Sequence, residues 1–237
     1  MGLFGYIYRL RRHLRYSKQE ILSIILASII FGIILGFDEW GYGNIVDINL
    51  GIYNTISYIF YSFIALILIR TSQKMMAIAY GYEGIVEIDP RALIASILIG
   101  IASLGKLPLM LSGRIFFKSH KTLRVGRFRQ LYMHHELGLS IIAGIIPFLI
   151  LAIFKDIPFL YKLSWITGLI LLFTWLPIPS QDGIMLFFYM RPALYIIFMI
   201  GFGVLLLTYH YSFLIGLILA LIAVILATII IEKNKVV

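Results

Sequence analysis

The sequence predicts an all-α membrane protein, with about six transmembrane helices and one re-entrant or interfacial element. Three observations predict it. Hydrophobic residues fill 61% of 237 positions and charged residues only 13%, against about a quarter charged in soluble domains. The charges collect at a few points, between apolar runs near or above the roughly 18 residues that a spanning helix needs. One apolar stretch is also followed by a strongly basic segment, which the charge rule for membrane loops keeps on the inner side.

No Ser/Gly/Pro-rich linker divides the chain. It reads as one polytopic membrane domain, residues 19–232, after a basic cytoplasmic amphipathic segment at 1–18 and before a cytoplasmic tail at 233–237. The basic start is no secretory signal, because no small-residue cleavage site follows its apolar run. The absence of cysteine removes disulfides, thiolate metal sites and thiol nucleophiles. The net charge of +9 is the orienting signal that flanks membrane helices rather than a nucleic-acid footprint.

Taken in order, the apolar runs place helices at about Glu20–Phe37 and Ile52–Tyr80, then an apolar stretch at Ala92–Leu111. Further helices follow at about Leu131–Phe154, Phe159–Leu176, Pro192–Tyr209 and Phe213–Ile231. Arg9, Arg11, Arg12, Arg15 and Lys18 keep the amino end inside, and the acidic loop Asp38–Asn49 lies outside. A full crossing by Ala92–Leu111 would put Arg114, Lys118, Lys121, Arg124, Arg127 and Arg129 outside. Gly105-Lys106-Leu107-Pro108 also interrupts that stretch, and proline inside a helix costs about 3 kcal/mol or more. The stretch is therefore expected to return to the face it left. Only Lys155 and Lys162, of 20 basic residues, are then outside, and both termini are cytoplasmic in a multi-pass cell-membrane protein. Trp40, Trp165 and Trp175 suit interfacial belts, and Arg9–Lys18 an orienting segment against lipid.

Three segments carry a family resemblance. Arg15-Tyr-Ser-Lys-Gln-Glu-Ile21 leads into the first helix. Ile69-Arg-Thr-Ser-Gln-Lys-Met-Met-Ala-Ile-Ala-Tyr-Gly-Tyr82 ends the second, and Leu176-Pro-Ile-Pro-Ser-Gln-Asp-Gly183 follows a little over 100 residues later. Together they resemble the site-2 protease family of intramembrane zinc metalloproteases, nearest to its archaeal members. There the second segment carries His-Glu-x-x-His-Lys, and the third reads Leu-Pro-x-Pro-x-x-Asp-Gly. The resemblance covers nearly the whole chain from Arg15 to about Tyr209 and implies that fold.

It also implies a lost active site. In the family the two His bind zinc from one helix face, the Glu between them is the general base, and the Asp adds a ligand from another helix. Those positions fall here on Ile69, Arg70, Gln73 and Asp182, with Lys74 matching the family's Lys. Ile cannot ligate, Gln is a weak neutral donor, and Arg is a permanent cation that cannot act as a base. No catalytic residue and no zinc are expected. Arg70 either snorkels to the headgroups or pairs with Asp182 in place of the metal. Asp182 either caps a local turn or belongs to a residual polar pocket.

His135-Glu136-Leu137-Gly138-Leu139 resembles a His-Glu-x-x-His whose last His has become Leu. His134 and His135 are adjacent, so on a helix they point about 100° apart. These two and Glu136 are expected to be polar residues at a helix end. Functionally, the sequence points to a pseudoprotease that binds another membrane protein as regulator, chaperone or complex subunit. One alternative is an active metalloprotease using His120, His134, His135, Glu136 and Asp182 as atypical ligands. The other is a subunit of a transport or permeation complex.

Overall fold

The computed structural model describes residues 3–37, 39–42, 45–119, 133–190, 192–209, 218 and 222. The expected helix Phe213–Ile231, His120 and the basic residues Lys121, Arg124, Arg127 and Arg129 lie outside the described residues. The chain is mostly helical. Among the described residues, Lys18–Gly36, Ile48–Tyr80 and His135–Ile153 are long and apolar enough to cross a bilayer, which marks a membrane protein.

Helix α1 (Leu3–His13) precedes α2 (Lys18–Gly36). Ser17 caps α2 and forms a capping box with Glu20, the side chain of each meeting the other's backbone N–H. The short strands β1 (Gly41–Tyr42) and β2 (Ile45–Val46) fill the acidic loop. Asp47 then starts α3 (Ile48–Tyr80) by accepting from the N–H groups of Asn49 and Leu50. At 33 residues and 1.5 Å per residue, α3 is about 50 Å long. It stops at Gly81, whose φ of 89° is open to glycine at little cost. This helix is the axis of the fold and touches α1, α2, β3, α5, α6 and α7.

A small sheet is added to the mostly helical chain. Strand β3 (Tyr82–Glu87) pairs antiparallel with β4 (Arg114–Ser119), from Tyr82 opposite Ser119 to Glu87 opposite Arg114. Tyr82, Gly84 and Val86 face inward and their neighbours outward, a period of two that suits a strand. Between the strands, α4 (Pro90–Ala102) starts at the Asp89 cap and packs on α2, with Gly100 against Ile34.

After the turn at residues 103–107 the chain comes back without regular structure through 108–113, and the Leu111 N–H donates to Ser96 Oγ on α4. The segment from Ala92 to Leu111 therefore leaves and rejoins the same end of the bundle, because Arg114 lies opposite Glu87.

The helix expected over Leu131–Phe154 is broken into α5 (Met133–Ile142) and α6 (Ile145–Ile153). Pro147 explains the break: it has no N–H for the Ala143 carbonyl and its ring crowds that turn. Helix α7 (Pro158–Thr174) is followed by a Pro-rich turn, a short helix α8 (Asp182–Tyr189) that the apolar pattern did not announce, and α9 (Pro192–Thr208). Trp175 is another correction. It is fully buried against Phe198 and Phe202 instead of standing in an interfacial belt, and the Tyr195 hydroxyl donates to its carbonyl.

Candidate functional site

A polar cluster sits at the crossing of α3, the returning segment and the start of α8. Arg70, at 1% exposure, is its centre. Its Nη1 donates to Asp182 Oδ2 at 2.5 Å and to Gln73 Oε1 at 2.9 Å. Its Nη2 donates to Ser112 Oγ at 3.1 Å and to the Gly113 carbonyl at 3.0 Å. The guanidinium thus spends both terminal nitrogens inside the protein. It does not run to the headgroups, because a buried counter-charge and neutral acceptors replace water around it.

Asp182 is fully buried. Its Oδ1 accepts from the backbone N–H of Ile115 at 2.8 Å, while Oδ2 takes Arg70 and also Gln73 Nε2 at 3.2 Å. The backbone group it holds therefore belongs to β4, not to its own turn as an Asx reading expects. Three donors, from α3 and from β4, therefore converge on this one buried carboxylate.

Local sequence places each partner. Residues 70 and 73 are one turn apart and share a helix face. The break imposed by Pro147 leaves the Ile141 carbonyl able to accept from Gln73 Nε2 at 3.2 Å, as well as from Gly144 N–H. Gly113, with φ +93°, lies so close to the Glu87 carbonyl that a Cβ there would collide with it. Only glycine lets the chain turn there and present its carbonyl to Arg70. Ser112 Oγ also lies 3.5 Å from Thr174 Oγ1, which ties the cluster to the end of α7.

The donor set does not fit zinc. Ile69 offers an apolar side chain, 1% exposed. Arg70 fills the space with a cation, Gln73 Oε1 already accepts from it, and both Asp182 oxygens meet hydrogen-bond donors. This arrangement holds a charge pair and joins α3, the returning segment, β4, α5 and α8.

The second motif is arranged differently. The side chain of His134 lies outside the described residues. His135 is exposed, and Glu136 accepts from the Tyr82 hydroxyl at 3.0 Å. Asp182 is engaged at the Arg70 cluster. Among the described residues, no three His, Asp or Glu side chains converge as a metal site would require.

A second ion pair, which sequence reasoning missed, lies one turn further along α3. Lys74 Nζ is 2.6 Å from Glu20 Oε1, donates to the Arg15 carbonyl at 3.1 Å, and stands 4.1 Å over the Tyr16 ring. Glu20 also accepts from the N–H groups of Val86 and Ser17. The signal was available: Ser17-x-x-Glu20 before an apolar run is a capping box. Burial raises the Tyr16 phenol above its ordinary value of 10.0, against the opposing pull of its hydrogen bond with Thr71. Compared with family models, curated proteins and solved structures, the chain matches none.

Proposed function

We propose that this chain is a site-2-protease-like membrane protein without protease chemistry, which holds a transmembrane segment of another membrane protein as regulator, chaperone or complex subunit. One observation carries the reading: Arg70 stands beside Asp182 as a buried counter-charge. In the family that this sequence resembles, the equivalent carboxylate faces a metal. A scaffold that keeps the carboxylate, the Pro-rich turn and the returning segment, but fills the centre with a guanidinium, has a reason to persist other than hydrolysis.

The proposed topology has six crossings, both termini in the cytoplasm and the Ala92–Leu111 segment dipping in from the cytoplasmic face. The return of the chain to β4 supports it, as does the one-sided placement of basic residues.

The decisive experiment combines metal analysis with photo-cross-linking in native membranes. The expected result is less than stoichiometric zinc and one reproducible membrane-protein adduct from cross-linkers on the lipid-facing helices. Stoichiometric zinc, or cleavage of any bound protein that Asp182→Asn abolishes, overturns the proposal. A built-back variant tests the resemblance itself. Ile69→His, Arg70→Glu and Gln73→His together are expected to bind one zinc with Asp182, since residue 73 already reaches Oδ2. If this variant folds and takes up no zinc, the assigned register is wrong.

A further inference from the structure

The face of α3 opposite the polar cluster lines a groove of about 530 Å³, between α3 and α6. It runs from Leu68 and Ile150 at one end to Tyr6, Met75 and Met76 at the other. Every hydroxyl on its wall is already used within the protein. Tyr6 donates to the Met75 carbonyl at 3.0 Å, Ser72 to the Ile69 carbonyl at 2.8 Å, and Thr71 shares a hydrogen bond with Tyr16 at 2.9 Å. The groove offers an occupant hydrocarbon contact and almost nothing else.

The lining positions 68 to 76 span about 12 Å of helix at 1.5 Å per residue, and the apolar walls suit a stretch of acyl chain along that length. Charge fixes the other end. Tyr6 belongs to α1, where Arg9, one turn on, and then Arg11, Arg12 and His13 follow, and residues 1–19 contain no acidic side chain. Several cations on an amphipathic helix attract anionic headgroups.

We propose that this groove is a specific site for one anionic phospholipid, its hydrocarbon chain between α3 and α6 and its phosphate among the arginines of α1. The site lies on the other face of α3 from Arg70 and does not depend on the protease-like reading.

The test uses the full chain reconstituted in vesicles of equal phosphatidylglycerol and phosphatidylcholine, re-extracted in mild detergent and weighed by native mass spectrometry. One retained phosphatidylglycerol per chain is expected, favoured over phosphatidylcholine by about tenfold or more, as two cations at an anionic surface warrant. Met76→Trp, which fills the groove, abolishes retention. Arg9→Gln with Arg12→Gln keeps one lipid but loses the headgroup preference. Thermal melts of both variants confirm folding, and Ile150→Trp replaces any groove variant that fails to fold. Equal retention of the two lipids, retention that survives a folded groove-filling variant, or a co-purifying peptide in place of lipid each overturns the assignment.

Discussion

Two cations one turn apart on α3 each hold a buried carboxylate, yet the two pairs are built on different principles. Arg70–Asp182 joins residues 112 apart in sequence, and its other partners come from the returning segment and from Gln73. Lys74–Glu20 joins residues 54 apart at the N-terminus of α2, where Glu20 also completes the capping box with Ser17 and accepts from β3. In the first pair the cation is the hub, with four acceptors around it. In the second the carboxylate is the hub, with three donors around it. The residue whose loss strands most partners therefore changes sign from one pair to the other.

Stranding a buried charge is the largest effect available. Asp182→Ala leaves the Arg70 guanidinium without its counter-charge, and removing one member of such a pair costs about 3–5 kcal/mol. Thermal unfolding in detergent is expected to show a folded fraction lost or a steep fall in midpoint. The paired change Asp182→Leu with Arg70→Met is expected to recover most of that loss, because apolar replacement of a whole buried pair is often close to neutral. A double variant no better than Asp182→Ala would show that packing, not charge, sets the cost.

Next comes the asymmetry of the second pair. Glu20→Ala removes the acceptor for Lys74, for the Val86 N–H and for the Ser17 N–H. Lys74→Met leaves Glu20 with its two backbone donors. Unmet buried donors cost about 1–3 kcal/mol each, so Glu20→Ala is expected to exceed Lys74→Met by at least one such increment. A larger loss for Lys74→Met than for Glu20→Ala would place the hub on Lys74 instead.

The contrast also explains what could be read from sequence. The membrane class, the early helices and the return of Ala92–Leu111 follow from bulk hydropathy, charge asymmetry and one proline, all of which are local signals. Glu20 carried a local signal as well, the capping box. The partners of Arg70 and Asp182 carried none. Ser112, the Gly113 carbonyl, the Ile115 N–H and the Ile141 carbonyl reach the cluster only through β3–β4 pairing and the Pro147 break. Backbone groups leave no residue-type mark, so a site built largely from them is invisible until the chain is folded. Trp175 was misplaced for a similar reason: amphipathic side chains suit both an interface and a core, and only packing decides between them.

The smallest effect separates the environment of Lys74 from its charge. Tyr16 gives Lys74 an aromatic face and shares a hydrogen bond with Thr71. Tyr16→Phe keeps the ring and loses one hydrogen bond, which is worth about 0.5–1.5 kcal/mol. Its signature is in the pH dependence. Burial raises the folded phenol above 10.0, so the folded state keeps a proton that the unfolded state gives up. That contribution is whole below pH 10 and declines as pH rises from the unfolded value through the folded one. Wild type is therefore expected to lose stability faster than Tyr16→Phe above pH 10, with the two curves parallel below it. Parallel curves throughout would mean that Tyr16 titrates as it does in water, and that the Lys74 pair is open to solvent on that side.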